Sequence, residues 1–424
     1  MEGDFYLKKF ALHDLFGYRT LSIGFKNKEI VLIGENGYGK TMLLNAICYT
    51  LNCDFKKLCR IPFSSIELEI GEEVVCFTKE QLERGLEYDD DNVSNMYHIL
   101  YTTLKSRNEN ENWDFTSGLL PEKSKPDFMR KLQELRKKRL EEHMELLYLP
   151  TYRRIEEDLQ NIVGDDLPDK HIRDFLGEKN PNIHFGMDDV SHRINAFREK
   201  ILMLSMEAFS NVSARTLEAV LNDPQEGEVN ALNLSASELE AVLARMAGKI
   251  NSSTRSIILS NLEGKEAGRN VLVNKFIENL VQEYDKQRYF EEQIKKFVEA
   301  CNKYLFGKCF LYNPADASVK VFRKDVKGNI LYDEGNIELS CFSSGEKQLV
   351  ALMSCLYLEE KQKYILLYDE PETSISIFWQ EELLSDIMDS GNVDQMIVVT
   401  HSPYIFKKNP EVAFGLQEFA YDRE

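Results

Sequence analysis

None of the eight cysteines (48, 53, 59, 76, 301, 309, 341 and 355) forms a Cys-x-x-Cys pair. A structural zinc site is built on such pairs, so a zinc-stapled domain is excluded. Most of the eight sit in apolar or helical surroundings, such as Cys48 in AICYTL and Cys355 in LMSCLYL, as reduced cytosolic thiols do. No uninterrupted apolar run approaches the roughly 18 residues that cross a bilayer. The opening MEGDFYLKKF lacks the apolar core of a secretion signal. A cytoplasmic chain with no membrane association is therefore expected. Basic residues are in deficit, with Lys+Arg 52 against Asp+Glu 71, a net charge of −19. Such a surface repels phosphate backbones on average, so nucleic-acid binding requires a local basic patch. Glycine (22) and proline (11) are too few for a collagen-like or linker-like chain, and no internal repeat is evident.

What remains is an ordinary globular composition, 43% hydrophobic and 29% charged over 424 residues. That length suits two or three domains, or one large domain with an insertion. FYLKKFALHDL and LSIGFKNKEIVLIG read as strands. Ile30-Val31-Leu32-Ile33 is apolar throughout and β-branched, which fits a strand buried on both faces. TMLLNAICYTL then takes helical spacing, and residues 63–78 read as a hairpin turned at Gly71-Glu72. A polar stretch (84–127, with Asp89-Asp90-Asp91 and NENEN) precedes a basic helix and the strand LLYLP. Residues 155–300 are mostly helical by pattern, with two long segments (190–212 and 273–305), the second charged outside as an antiparallel helical hairpin or short coiled coil is. Sheet-like sequence returns at 309–342, with turns at Lys327-Gly328 and Glu334-Gly335. The last segment alternates helix, strand, helix and strand, which predicts a parallel core sheet.

Gly34-Glu35-Asn36-Gly37-Tyr38-Gly39-Lys40-Thr41 matches G-x-x-x-x-G-K-[ST] between a buried strand and a helix. The glycines let backbone N–H groups wrap phosphate oxygens, and the helix N-terminus adds partial positive charge. Lys40 can reach the outer phosphates and Thr41 can bind Mg²⁺. Near the other end, YILLYDE is a buried strand finishing in two carboxylates. Asp369 at its tip suits the Mg²⁺ shell, and Glu370 suits a general base that polarises water. Ser343-Ser344-Gly345-Glu346-Lys347-Gln348 opens a helix with serine as its cap. His401 ends another buried strand within Thr400-His401-Ser402-Pro403.

These four elements, in this order, resemble the ABC-type ATPase heads of the SMC and RecF group. GENGYGKT stands as Walker A, SSGEKQ as signature, ILLYDEPE as Walker B and THSP as histidine switch. The resemblance covers roughly residues 1–155 and 301–424. It implies an α/β P-loop head with a mixed-sheet core: an N-terminal lobe (1–155), a helical or short coiled-coil insertion (156–300) and a C-terminal lobe (301–424). It implies Mg²⁺-dependent, slow ATP hydrolysis, with ATP sandwiched between two heads in a homodimer or higher oligomer. The nucleotide set becomes Asn36, Gly37, Gly39, Lys40, Thr41 and Met42 from one head, with Ser344, Gly345 and Glu346 from the other. Thr41 and Asp369 hold the metal, Lys40 and Glu370 serve catalysis, His401 senses the γ-phosphate, and Thr373-Ser374 fall near the dimer seam.

The glutamine that such heads carry before the insertion has no obvious counterpart. Thr151–Arg154 stand where it would be, with Arg153 or Arg154 either touching phosphate or pairing with Glu156 or Glu157. YLPTYRRIE and HFGMDDV resemble the ATPase subunits of bacterial antiphage systems, the PARIS type first and then the Septu type and OLD-like proteins. The chain ends 23 residues after His401 and lacks a His-rich HNH pattern. The resemblance therefore implies a separate effector, a TOPRIM-like or HNH nuclease. The competing expectation is a RecF-type repair or chromosome-structure ATPase acting on DNA through Arg130-Lys131…Arg136-Lys137-Lys138-Arg139, a run that reads more readily as a solvated helix face, since acids follow at 141, 142 and 145. The ATPase of a membrane transporter is a third and weaker one, because the insertion obstructs docking to a membrane partner.

Overall fold

The computed structural model describes residues 7–35, 37–86, 126–150, 187–221, 236–246, 250–262, 271–360, 362–373 and 375–422. Asn36, Asp89–Asp91, the NENEN tract, Thr151–Glu157, the first residues of HFGMDDV and Ser374 lie outside them. The chain divides into two units, Met1–Asn182 with Lys361–Glu424, and Ile183–Glu360.

The first unit holds two five-stranded sheets. Strands β1 (Leu7–Leu15), β2 (Arg19–Gly24), β4 (Ser65–Ile70), β5 (Glu73–Thr78) and β12 (Ala420–Asp422) form an antiparallel sheet in the order β12-β2-β1-β4-β5. Its alternating pattern is plain in β4, where Ile66, Leu68 and Ile70 point inward and the residues between them are half-exposed. Ile66 and Leu68 face Phe77 and Val75 across the hairpin, and Gly71, with φ +57°, takes the left-handed turn position.

The second sheet is wholly parallel. Strands β3 (Glu29–Ile33), β6 (Met144–Leu149), β9 (Lys363–Asp369), β10 (Val393–Thr400) and β11 (Ala413–Gly415) run in the order β11-β3-β10-β9-β6. Tyr364–Asp369 and Met396–Thr400 are buried without a break, which accounts for their continuous apolar runs. Helix α1 (Lys40–Leu51) packs against β1 of one sheet and β6 and β9 of the other. Leu43, Leu44, Ala46, Ile47, Cys48 and Leu51 are all buried, so the helix is apolar nearly all round and joins both sheets in one core. A single turn, α2 (Phe55–Leu58), follows it.

Helix α3 (Asp127–Glu141) carries the basic run, but not on one face. Arg139 is 2% exposed and donates to Asn52 Oδ1 at 2.9 Å; burial lowers its pKa to about 10. Arg130 pairs with Asp127 at 2.8 Å and Lys137 with Glu141 at 3.7 Å. The six basic residues therefore present a weaker cationic surface than their sequence suggests.

In the second unit, α4 (Met187–Leu221) and α7 (Val271–Tyr304) are each about 50 Å long at 1.5 Å per residue. They run antiparallel: Phe197 meets Phe290, Ser205 meets Gln287 and Asn211 meets Glu283. Helices α5 (Ala236–Arg245) and α6 (Ser252–Leu262) close an apolar cluster with them. Arg245 and Glu291, with side chains 0% and 3% exposed, form an ion pair at 2.5 Å within that unit. The antiparallel hairpin β7 (Lys308–Asn313) and β8 (Ser318–Arg323) and helix α8 (Ser344–Tyr357) complete it. Helix α9 (Ile377–Asp389) returns to the first unit. The α/β class with a mixed-sheet core and a helical insertion, expected from the sequence, is the architecture found. No described helix is long and apolar enough to cross a membrane.

Candidate functional site

Strand order decides which chain segments meet. β10 lies between β3 and β9, and all three run parallel, with Thr400 opposite Ile33 and Val399 opposite Asp369. The loop after β3, the carboxylates after β9 and the turn after β10 therefore leave the sheet side by side at its carboxyl edge. Open parallel sheets bind ligands at that edge.

The phosphate loop runs from Gly34 to Gly39, and α1 starts at Lys40. Gly37 and Gly39 have φ of +85° and +86°, a conformation that side-chain-bearing residues rarely adopt. A Cβ on Gly39 would also lie 2.6 Å from Leu15 Cδ2. The first turn of α1 holds no acid, and no side chain among the described residues caps it. Its N–H groups and partial positive charge thus suit an anion. Thr41 and Met42 stand in that turn, both half-buried.

Lys40 is 6% exposed. Its Nζ donates to the carbonyls of Gly34 (2.5 Å) and Glu35 (3.2 Å) and contacts His401 Nε2 at 2.5 Å. Burial lowers the Lys40 pKa, and the nearby acids Glu370, Asp369 and Glu372 pull it the other way. Glu370 Oε1 lies 3.8 Å from the same Nε2. One imidazole nitrogen thus faces both the loop lysine and the strand-end acid.

Asp369, at the tip of β9, is 1% exposed. Glu370 follows with φ +52°, its N–H donating to Val399 O at 2.8 Å. A non-glycine residue in that region stores strain, and such strain gathers at functional sites. The Thr41 hydroxyl and the Asp369 carboxylate are hard oxygen donors of the kind Mg²⁺ prefers. No group of three or more His, Cys, Asp or Glu among the described residues could hold a metal by itself. This donor set fits an ion that is held mainly by a ligand's phosphates, as Mg²⁺ usually is beside nucleotides.

Ser344, Gly345 and Glu346 open α8 in the second unit. Ser343 caps this helix: Ser343 Oγ accepts from Glu346 N–H at 3.4 Å and Ser343 N–H donates to Glu346 Oε2 at 2.7 Å, a closed capping box. Lys308 Nζ also reaches Glu346 Oε2, at 2.7 Å.

Two groups of residues were not singled out by sequence. Arg19 forms a two-pronged ion pair with Asp422 (2.7 Å on each arm) and lies 4.5 Å above the ring of the loop residue Tyr38. These residues are too far apart in the chain for any local pattern to join them. Glu372 accepts from Thr400 Oγ1 and from the His401 backbone N–H, both at 2.7 Å. The repeated acid in DEPE was the only hint of it.

A family model described as AAA ATPase domain matches residues 6–406. Among solved structures, the chain is similar to the Smc head domain with an extended coiled coil bound to the C-terminal domain of ScpA, derived from Pyrococcus furiosus. That match has 14% identity and a TM-score of 0.38, over 95% of this chain and 91% of that one. It is also similar to the SmcHead bound to the C-winged helix domain of ScpA, with 12% identity and a TM-score of 0.36 over the same shares. No curated protein matches the sequence.

Proposed function

The chain belongs to the AAA ATPase domain family, and from that premise we propose that it is an ATP-driven switch whose paired heads control a separate effector protein. Family membership supports ATP binding and hydrolysis in general. The finer reading is carried by one observation: Lys40, Glu370 and His401 converge beside a glycine-built loop at the carboxyl edge of the parallel sheet.

In this reading Gly37, Gly39 and the first turn of α1, which includes Met42, bind phosphate oxygens through N–H groups, and Asn36 belongs to the same nucleotide set. Lys40 exchanges its carbonyl partners for the outer phosphates. Glu370 orients and polarises the attacking water. His401, held on Lys40 and Glu370, registers the γ-phosphate. Thr41 and Asp369 are the residues that hold Mg²⁺, which supplies charge neutralisation on the phosphates when bound. Ser344, Gly345 and Glu346 of a second copy complete the pocket, so ATP favours the paired state and hydrolysis removes that preference. The assembly is a homodimer or a higher homo-oligomer in the cytoplasm. The antiphage role and the TOPRIM-like or HNH nuclease partner rest on the sequence resemblance alone. A direct DNA-binding role draws less support, since Arg139 is buried and Arg130 and Lys137 face acids.

The test is sedimentation of a Glu370→Gln protein with and without Mg-ATP. ATP-dependent dimers, abolished by Ser344→Arg, are expected. A protein that stays monomeric with saturating Mg-ATP removes the paired-head reading.

A further inference from the structure

Glu372 makes two of the shortest side-chain contacts at the sheet edge, and nothing in the reading above uses it. Its Oε2 accepts from the hydroxyl of Thr400, a fully buried residue, and its Oε1 accepts from the backbone N–H of His401, each at 2.7 Å. Hydrogen bonds to a carboxylate are charge-assisted and short, and are stronger than neutral ones. Glu372 is itself held in place. Pro371 is buried beside it, and the Thr373 N–H and hydroxyl close the turn on Glu370 O at 3.1 and 2.9 Å. Gln380 Nε2 donates to Glu372 O at 3.3 Å, and Gln380 Oε1 accepts from Ser402 Oγ at 2.6 Å. Ser402 N–H in turn donates to Thr400 Oγ1 at 2.9 Å. The turn after β9 and the turn after β10 are therefore joined by two bridges, one from the Glu372 carboxylate and one from the Glu372 carbonyl through Gln380. From this anchored backbone the His401 ring reaches Lys40 Nζ (2.5 Å) and stands 3.8 Å from Glu370 Oε1.

We infer that Glu372 is a positioning residue for ATP hydrolysis, clamping the His401 backbone so that the ring stays between Lys40 and Glu370. This rests on the reading of the site as an ATPase centre. Glu372 does not touch the reacting atoms in this scheme. Its effect passes through Thr400 and His401, and so belongs to the chemical step, where small misplacements are costly.

The experiment measures kcat, KM and fluorescent-nucleotide affinity for the wild type, Glu372→Ala, Glu372→Gln, His401→Ala and the Glu372→Ala/His401→Ala double variant. Glu372→Ala should lower kcat by on the order of 10–100-fold, with KM and nucleotide affinity unchanged. Glu372→Gln should recover most of the loss. Its amide oxygen can accept from the His401 N–H while its amide N–H donates to the Thr400 hydroxyl. The double variant should match His401→Ala, because the two residues act as one unit. Circular dichroism shows whether each variant is folded, and Glu372→Gln carries the comparison if Glu372→Ala is not. Wild-type kcat in Glu372→Ala, no recovery in Glu372→Gln, or losses that add with His401→Ala would each overturn the inference. A wild-type protein without ATP turnover defeats the ATPase reading instead.

Discussion

Glu370 sits at φ +52°, directly after the buried tip of β9, and glycine at this position separates backbone strain from chemistry. A left-handed backbone costs an L-residue about 1–2 kcal/mol. Glycine escapes that cost but loses about 0.5–1 kcal/mol of unfolded-state freedom. Glu370→Ala and Glu370→Gly both remove the carboxylate that stands 3.8 Å from His401 Nε2, so hydrolysis should be lost equally in the two. Their stabilities should differ, with the glycine variant more stable by about 0.5–1 kcal/mol. Urea unfolding followed by circular dichroism gives the midpoints, and equal slopes make the comparison direct. A glycine variant no more stable than the alanine variant would refute the claim that this acid is held in a strained backbone. Restored hydrolysis in either variant would refute its role in chemistry.

Gly39→Ala should destabilise by about 2–5 kcal/mol and lower nucleotide affinity, because it combines left-handed strain with a Cβ 2.6 Å from Leu15 Cδ2; unfolding and nucleotide titration check it. Burial pushes the Glu346 carboxyl up, but the bonds from Lys308 and Ser343 outweigh it and hold the group below its ordinary value. The stabilisation is therefore present above the ordinary carboxyl pKa and is lost as pH falls through the lower folded value. Lys308→Met should shift acid unfolding to higher pH, as read by circular dichroism during an acid titration; an unchanged midpoint contradicts this. Arg245→Met leaves Glu291 buried without its cation and should cost about 3–5 kcal/mol in urea unfolding, while Arg245→Met/Glu291→Leu should regain most of it.

Elements fixed by local pattern could be read from the sequence. The runs at Ile30–Leu32 and Tyr364–Tyr368 declare strands buried on both faces, because both faces of a parallel sheet are covered. Gly71-Glu72 declares its hairpin because a left-handed turn needs glycine. The glycine-built turn between β3 and α1 is a contiguous device, and its glycines were legible: Gly37 and Gly39 take φ of +85° and +86°. What depends on strand order was not. Glu372 meets His401 across 29 positions only because β9 and β10 are neighbours, and Arg19 meets Asp422 across 403 positions only because β12 pairs with β2. The basic run on α3 is less cationic than its residue count for a related reason. Helical phase turns Arg139 toward Asn52 and the core, which a tally of basic residues does not register.

The central claim is that one sheet edge both binds ATP and hydrolyses it, with Lys40 serving binding and Glu370 serving chemistry. Measuring ATP affinity and single-turnover hydrolysis side by side in the wild type, Lys40→Ala and Glu370→Gln tests it most directly. The account predicts that Lys40→Ala loses binding, and that Glu370→Gln binds as the wild type does but turns ATP over far more slowly. Wild-type turnover in Glu370→Gln, or wild-type affinity in Lys40→Ala, would contradict it.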